Sequence, residues 1–178
     1  MRKPAILFVA AIAVVVFSNV SFAQAQWKRF TPLGEPVSVL FPGEPKASKE
    51  TTDSANGPYT THLYSGSDQQ GTYYIFGFTD YDPAFNFGIQ AEINANRDNL
   101  IKGIKAKLTG EIAITVAGNK GIEFTAETEN GMLFTSRVFI IGRRPYQLAT
   151  ATRKDADQTN ARKFLTSFEL AARRAARN

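Results

Sequence analysis

The 178-residue chain has no cysteine, one histidine and one tryptophan. Without cysteine there is no disulfide framework, no lipid-modified N-terminal cysteine and no thiolate metal site. With only His62, zinc lacks its ordinary ligands. The sequence holds no Gly-x-Ser-x-Gly elbow, no nucleotide fingerprint and no complete Asp-x-Asp-x-Asp-Gly calcium loop. No internal repeat or long low-complexity tract interrupts Trp27 to Leu170. Long apolar runs are also missing: Ala5 to Phe17 falls short of the roughly 20 residues that a spanning helix needs.

That short run has the flanks of a secretory signal. Arg2 and Lys3 form a basic start, and polar Ser18, Asn19 and Ser21 end the apolar centre. Ser21-Phe22-Ala23 and Ala23-Gln24-Ala25 are overlapping small-x-small cleavage sites. The sequence therefore predicts a signal peptide over 1–23, cleaved after Ala23 or Ala25, and a secreted or periplasmic product. Arg2 followed by Lys3 is not a twin-arginine signal. The one Asn-x-Ser/Thr sequon, Asn19-Val20-Ser21, falls in the part removed. The remainder is long enough for a single α+β domain over 24–170 whose stability rests on hydrophobic burial, with 14 Phe and 6 Tyr to supply it.

The formal charge of +5 dissolves once it is located. Arg2 and Lys3 leave with the signal, and Arg173, Arg174 and Arg177 carry the rest. Everything between is formally neutral. A nucleic-acid binder needs a basic face on its fold, so that class is excluded. Residues 171–178 read as a solvated, disordered basic tail, with weak contact to an anionic surface through Arg173, Arg174 and Arg177 as the sharper alternative.

Along the body, Val37, Val39 and Phe41 alternate on one side of a short strand that Pro42-Gly43 stops. Lys46 to Pro58 is polar, an exposed connection or ragged edge strand. Tyr59 to Tyr64 and Thr72 to Tyr81 pair around a polar turn over 65–71, with Tyr74, Phe76 and Phe78 on one face. Ile89, Ile93, Leu100, Ile104 and Leu108 then recur at helical spacing, with a weak last turn at Gly103. Glu111 to Val116, Gly121 to Glu129 and Met132 to Ile141 follow as strands. Asn130-Gly131 is the strongest hairpin signal and predicts a type I′ turn. A fourth strand, Tyr146 to Thr152, leads to a helix with the stripe Ala161, Phe164, Leu165 and Phe168. This order predicts an α+β layered domain, an antiparallel β-sheet flanked by helices, rather than a doubly wound parallel sheet.

Candidate chemistry is sparse. His62 could serve Ser65 or Ser67 with Asp80 or Asp82 in a hydrolase. Asp80, Asp82 and Asn86 offer oxygen ligands of the kind calcium takes, in a loop that Pro83 breaks. Gly118-Asn119-Lys120-Gly121 matches the Gly-x-x-Gly of an RNA-binding loop but joins strands, so it reads as a hairpin. Glu123, Glu127 and Glu129 share a face that reads as solvated, with Arg137 on the next strand as a partner.

Three stretches resemble a known type of secreted bacterial protein. They are Val37-Ser38-Val39-Leu40-Phe41-Pro42-Gly43-Glu44-Pro45, Arg143-Arg144-Pro145-Tyr146-Gln147-Leu148 and Phe164-Leu165-Thr166-Ser167-Phe168-Glu169-Leu170. With the element order they are similar to the Mog1/PsbP-like fold, over nearly the whole mature chain. The resemblance implies a mostly non-enzymatic group and carries over no site residue. The function expected is an exported, non-catalytic accessory or binding domain for an envelope protein or small molecule. It uses its sheet or the Asp80–Asn86 connection, with His62, Asp80, Asp82 and Asn86 as candidate ligand contacts and no cofactor. A hydrolase built around His62 and an apolar-ligand carrier, with the Tyr73 to Phe78 strand facing a cavity beneath the first helix, are the alternatives.

Overall fold

Val37, Val39 and Phe41 turn inward at 1%, 0% and 0% exposure, while Ser38 and Leu40 between them stay half-buried. The computed structural model describes residues 26–171. The predicted signal segment and the Arg173, Arg174 and Arg177 tail lie outside the described residues.

Strand β2 (Val37–Phe41) is the centre of a small sheet, flanked by β1 (Lys28–Phe30) and β10 (Glu169–Leu170), both antiparallel to it. The large sheet holds β3 (Lys46–Thr52), β4 (Tyr59–Ser67), β5 (Tyr73–Tyr81), β6 (Ala106–Val116), β7 (Asn119–Thr128), β8 (Met132–Ile141) and β9 (Arg144–Arg153). Its order is β3-β4-β5-β9-β8-β7-β6, with every pair antiparallel. Helix α1 (Ile89–Gly103) lies on one face and α2 (Thr159–Leu165) with the small sheet on the other. The architecture is broadly α+β, dominated by antiparallel strand.

Alternation decides which face each side chain serves. Tyr74, Phe76 and Phe78 point toward the small sheet and pack with Phe41, Tyr146, Leu148 and Phe164. Phe164 stands 5.1 Å from Phe41 and 5.2 Å from Tyr74, edge on, a favoured aromatic geometry. Ile93 and Leu100 of α1 meet Ile122, Phe124, Val138 and Ile140 on the opposite face. The aromatic row of β5 therefore faces away from α1 and is filled core. The carrier alternative placed this row facing α1, whereas Tyr74, Phe76 and Phe78 pack on the opposite face.

Four expectations change in detail. The helix stops at Gly103, and Lys105 takes a positive φ of 52° as the chain turns into β6. Leu108, which fitted the helical spacing, is a strand residue 40% exposed. Gly is a poor helix former by about 1 kcal/mol, and pairing of Ala106 with Thr128 takes over. At Asn130-Gly131 only Gly131 has positive φ, and its N–H bonds the Thr128 carbonyl at 3.0 Å. That is a type I turn closed by a glycine bulge, while Ala117-Gly118, with φ of 47° and 78°, takes the type I′ geometry. Ser65 and Ser67 belong to β4 rather than to a turn. Phe168 lies beyond α2, where its ring meets Phe139 at 4.8 Å.

The glutamate face of β7 is also not uniformly wet. Glu123 is 6% exposed and accepts from Arg137 Nε at 2.6 Å and Arg162 Nη1 at 2.8 Å. Burial alone would raise its pKa, but the two guanidinium groups outweigh burial and hold it below the usual Glu value. The Arg137 partnership expected from sequence is present, and Arg162 adds α2 to it.

Candidate functional site

Three strands and one turn bring charged side chains together at the edge of the aromatic core. His62 on β4, Phe78 and Asp80 on β5 and Arg144 on β9 occupy adjoining rows of one sheet face. His62 stacks on Phe78 with centroids 4.5 Å apart and planes at 14°. The Arg144 guanidinium sits 4.8 Å from the centroid of the same ring. Asp80 joins the two side chains: Oδ2 is 3.2 Å from His62 Nε2, and Oδ1 is 2.6 Å from Arg144 Nη2.

The other arm of Arg144 donates to Glu35, the last residue of the turn Pro32-Leu33-Gly34-Glu35. That turn is closed by Glu35 N–H on the Pro32 carbonyl at 3.0 Å, and Gly34 supplies the positive φ of 80° it requires. Leu33 at its tip is fully exposed at 102%. Burial alone would lower the Arg144 pKa, but Tyr146, Asp80 and Glu35 outweigh it and hold the pKa above the ordinary arginine value. Arg144 is thus a permanent cation that ties the turn to the sheet.

Of the four candidate contacts, the structure joins two. His62 and Asp80 are partners. Asp82 belongs to a separate arrangement, in which its Oδ1 accepts the Ala84 N–H at 2.8 Å and its N–H donates to Pro58. Asn86 is exposed and makes no side-chain hydrogen bond to another described residue. Arg143 holds this connection closed, donating to Phe85 O at 2.5 Å and stacking 5.8 Å over Phe87. Among the described residues no group of three His, Asp or Glu side chains is placed to hold a metal ion.

Ser65 and Ser67 lie an odd number of residues from His62 and project from the other face of the sheet. They cannot share a proton with it. A shallow cleft of about 260 Å³ at the end of α1 is lined by Gly103, Ile104, Thr128, Asn130, Met132 and Phe134, none of them titratable.

Sequence reasoning missed Leu33, Glu35 and Arg144. Arg143-Arg144 entered only as part of the Arg143–Leu148 stretch of the resemblance. Two adjacent arginines at a strand start must serve opposite faces, and that alternation was the available signal.

No family model matches the chain, and no curated protein matches it in sequence. Among solved structures it is similar to cyanobacterial PsbP (CyanoP) from Synechocystis sp. PCC 6803, a solution structure. The match has a TM-score of 0.54 and spans 87% of this chain and 98% of that one, at 9% identity. The fold is PsbP-like. The likeness expected from the Val37–Pro45, Arg143–Leu148 and Phe164–Leu170 stretches is therefore present at the level of fold. No helix among the described residues is long and apolar enough to cross a membrane.

Proposed function

We propose that the protein is an exported, non-catalytic binding module that engages an envelope partner through the Leu33 turn and the charged network beneath it. One observation carries this reading: a fully exposed leucine stands on a turn braced to the sheet by Glu35, Arg144, Asp80 and His62. Leu33 adds nothing to the core, yet its backbone is fixed before any encounter. An apolar side chain held out on a braced turn is the composition of an interaction hot spot. Ser65 and Ser67 project from the other face, and both members of the His62–Asp80 pair are engaged in stacking or ion pairing. Export rests on the Arg2-Lys3 start, the Ala5 to Phe17 run and the cleavage sites at Ala23 and Ala25.

Affinity capture from the envelope fraction tests the reading, comparing wild type with Leu33→Asp. The expected result is a discrete partner enriched by wild type and lost with L33D while the circular dichroism spectrum is unchanged. Equal recovery by both proteins, or substrate turnover abolished by His62→Ala, would overturn it. Fractionation of cells followed by N-terminal mass analysis checks export, with a start at Gln24 or Gln26 expected.

A further inference from the structure

The two edges of the large sheet are not alike. At one edge β3 is Lys46-Ala47-Ser48-Lys49-Glu50-Thr51-Thr52, short and polar, with the lysines that commonly guard such edges. At the other edge β6 is eleven residues long and exposed over most of its length. Its first third is guarded by Lys107 and by a bulge between Leu108 and Gly110. From Gly110 to Val116 it runs in unbroken register with β7. That stretch reads Gly-Glu-Ile-Ala-Ile-Thr-Val, β-branched and free of proline, and Ile112 is 60% exposed. Alternate backbone N–H and C=O groups along it point away from β7, and no strand among the described residues receives them.

We infer that β6 is a self-association edge, on which a second copy of this chain adds antiparallel through residues 110–116 about a two-fold axis at Ala113. The occupant follows from self-complementarity. In that register Ile112 of one copy faces Ile114 of the other, Gly110 faces Val116, and Glu111 faces Thr115. Small meets large, apolar meets apolar, and no like charges oppose. All four isoleucines fall on the same sheet face, since an axis normal to the sheet preserves faces. Glu111, the one charge in the stretch, is already neutralised by Arg97 Nη1 at 2.6 Å. The pairing joins two large sheets into one, a form of strand addition, and covers Ile112. It is independent of the Leu33 turn, which lies on the small sheet.

The chain's lack of cysteine makes the test clean. Ala113→Cys is placed opposite its own copy at the axis, so mild oxidation of the purified exported protein should give a disulfide-linked dimer. Ala47→Cys on β3 should give none. Sedimentation of wild type should show twice the monomer mass. Ile112→Lys should weaken the dimer at least tenfold by placing two ammonium groups at the seam, with the circular dichroism spectrum retained. If I112K misfolds, Thr115→Pro, which removes one donor at the strand's outer end, provides the same readout. A monomer at all concentrations up to the solubility limit overturns the inference. So does a dimer that cross-links through Cys at 47 as readily as at 113, or one that survives both I112K and T115P.

Discussion

Two buried carboxylates on opposite faces of the sheet should respond to the same substitution with opposite signs. Glu123 links β7, β8 and α2 through Arg137 and Arg162, and its pKa is held below the usual value of 4.5. Glu92 on α1 is 2% exposed and, among the described residues, pairs with no cation; its carboxylate accepts from Tyr81 Oη at 2.5 Å and Asn96 Nδ2 at 2.7 Å. Burial pushes its pKa above 4.5, partly offset by those two donors.

Glu123→Gln keeps the shape and one acceptor but removes the charge. Hydrogen bonds to charged groups are worth about 1.5–3 kcal/mol, and the Arg162 side chain, 54% exposed, recovers hydration when released. The net loss at pH 7 is therefore about 2 kcal/mol, which lowers a urea midpoint by about 1 M at a slope near 2 kcal/mol/M. A depressed pKa confers stability that is complete above the unfolded value and lost as pH falls through the folded one. The gap between wild type and E123Q should accordingly close as pH falls below the usual glutamate range. For Glu92 the folded pKa is the higher, so its favourable contribution is complete in acid and lost as pH rises through that value. Glu92→Gln retains an oxygen for Tyr81 and Asn96 and should stabilise by about 1 kcal/mol at pH 8, a gain that fades in acid. Urea titrations of the three proteins across this range decide the matter. An E123Q deficit that is unchanged at low pH, or an E92Q protein less stable than wild type at pH 8, would refute the reasoning.

Gly121→Ala should destabilise by about 2–3 kcal/mol in thermal melts. An added Cβ would lie 2.4 Å from the Val138 carbonyl oxygen and 2.7 Å from Phe139 Cβ, so β7 and β8 must part. Arg144→Met removes the bridge between Asp80 and Glu35. It should cost about 1–2 kcal/mol, since Asp80 is partly solvated, and hydrogen exchange at the Glu35 amide should quicken as the turn loosens. Leu33→Asp should leave the melting temperature within about 2 °C of wild type, because a fully exposed side chain has no packing to lose.

Much of the layer structure was legible because period-2 and period-3.6 patterns are local. Val37, Val39 and Phe41, the Tyr74–Phe78 row, and Ile93 with Leu100 all reached the core through those patterns. Errors arose where a local pattern had two readings. Leu108 fitted both a fourth helical turn and a strand, and backbone pairing across to β7 decided for the strand. Asn130-Gly131 fitted two turn types, separated only by the φ of Asn130. Glu123 read as solvated because nothing local reveals that α2, some forty residues later, returns Arg162 to it. The site was half legible for the same reason. His62 and Asp80 stood out by residue type, whereas Glu35 and Arg144 are joined by a contact spanning more than a hundred residues. Hydropathy alone gives an exposed leucine in a turn no weight. Its meaning comes from the bracing beneath it.

The central claim is that the Leu33 turn is where a partner lands, and a photo-reactive residue placed there tests it in the living envelope. With the cross-linker at position 33, irradiation should give one discrete adduct, absent with the same cross-linker at exposed Lys154 and reduced when Arg144→Met loosens the turn. No adduct at 33, or the same adduct from both positions, would contradict the account.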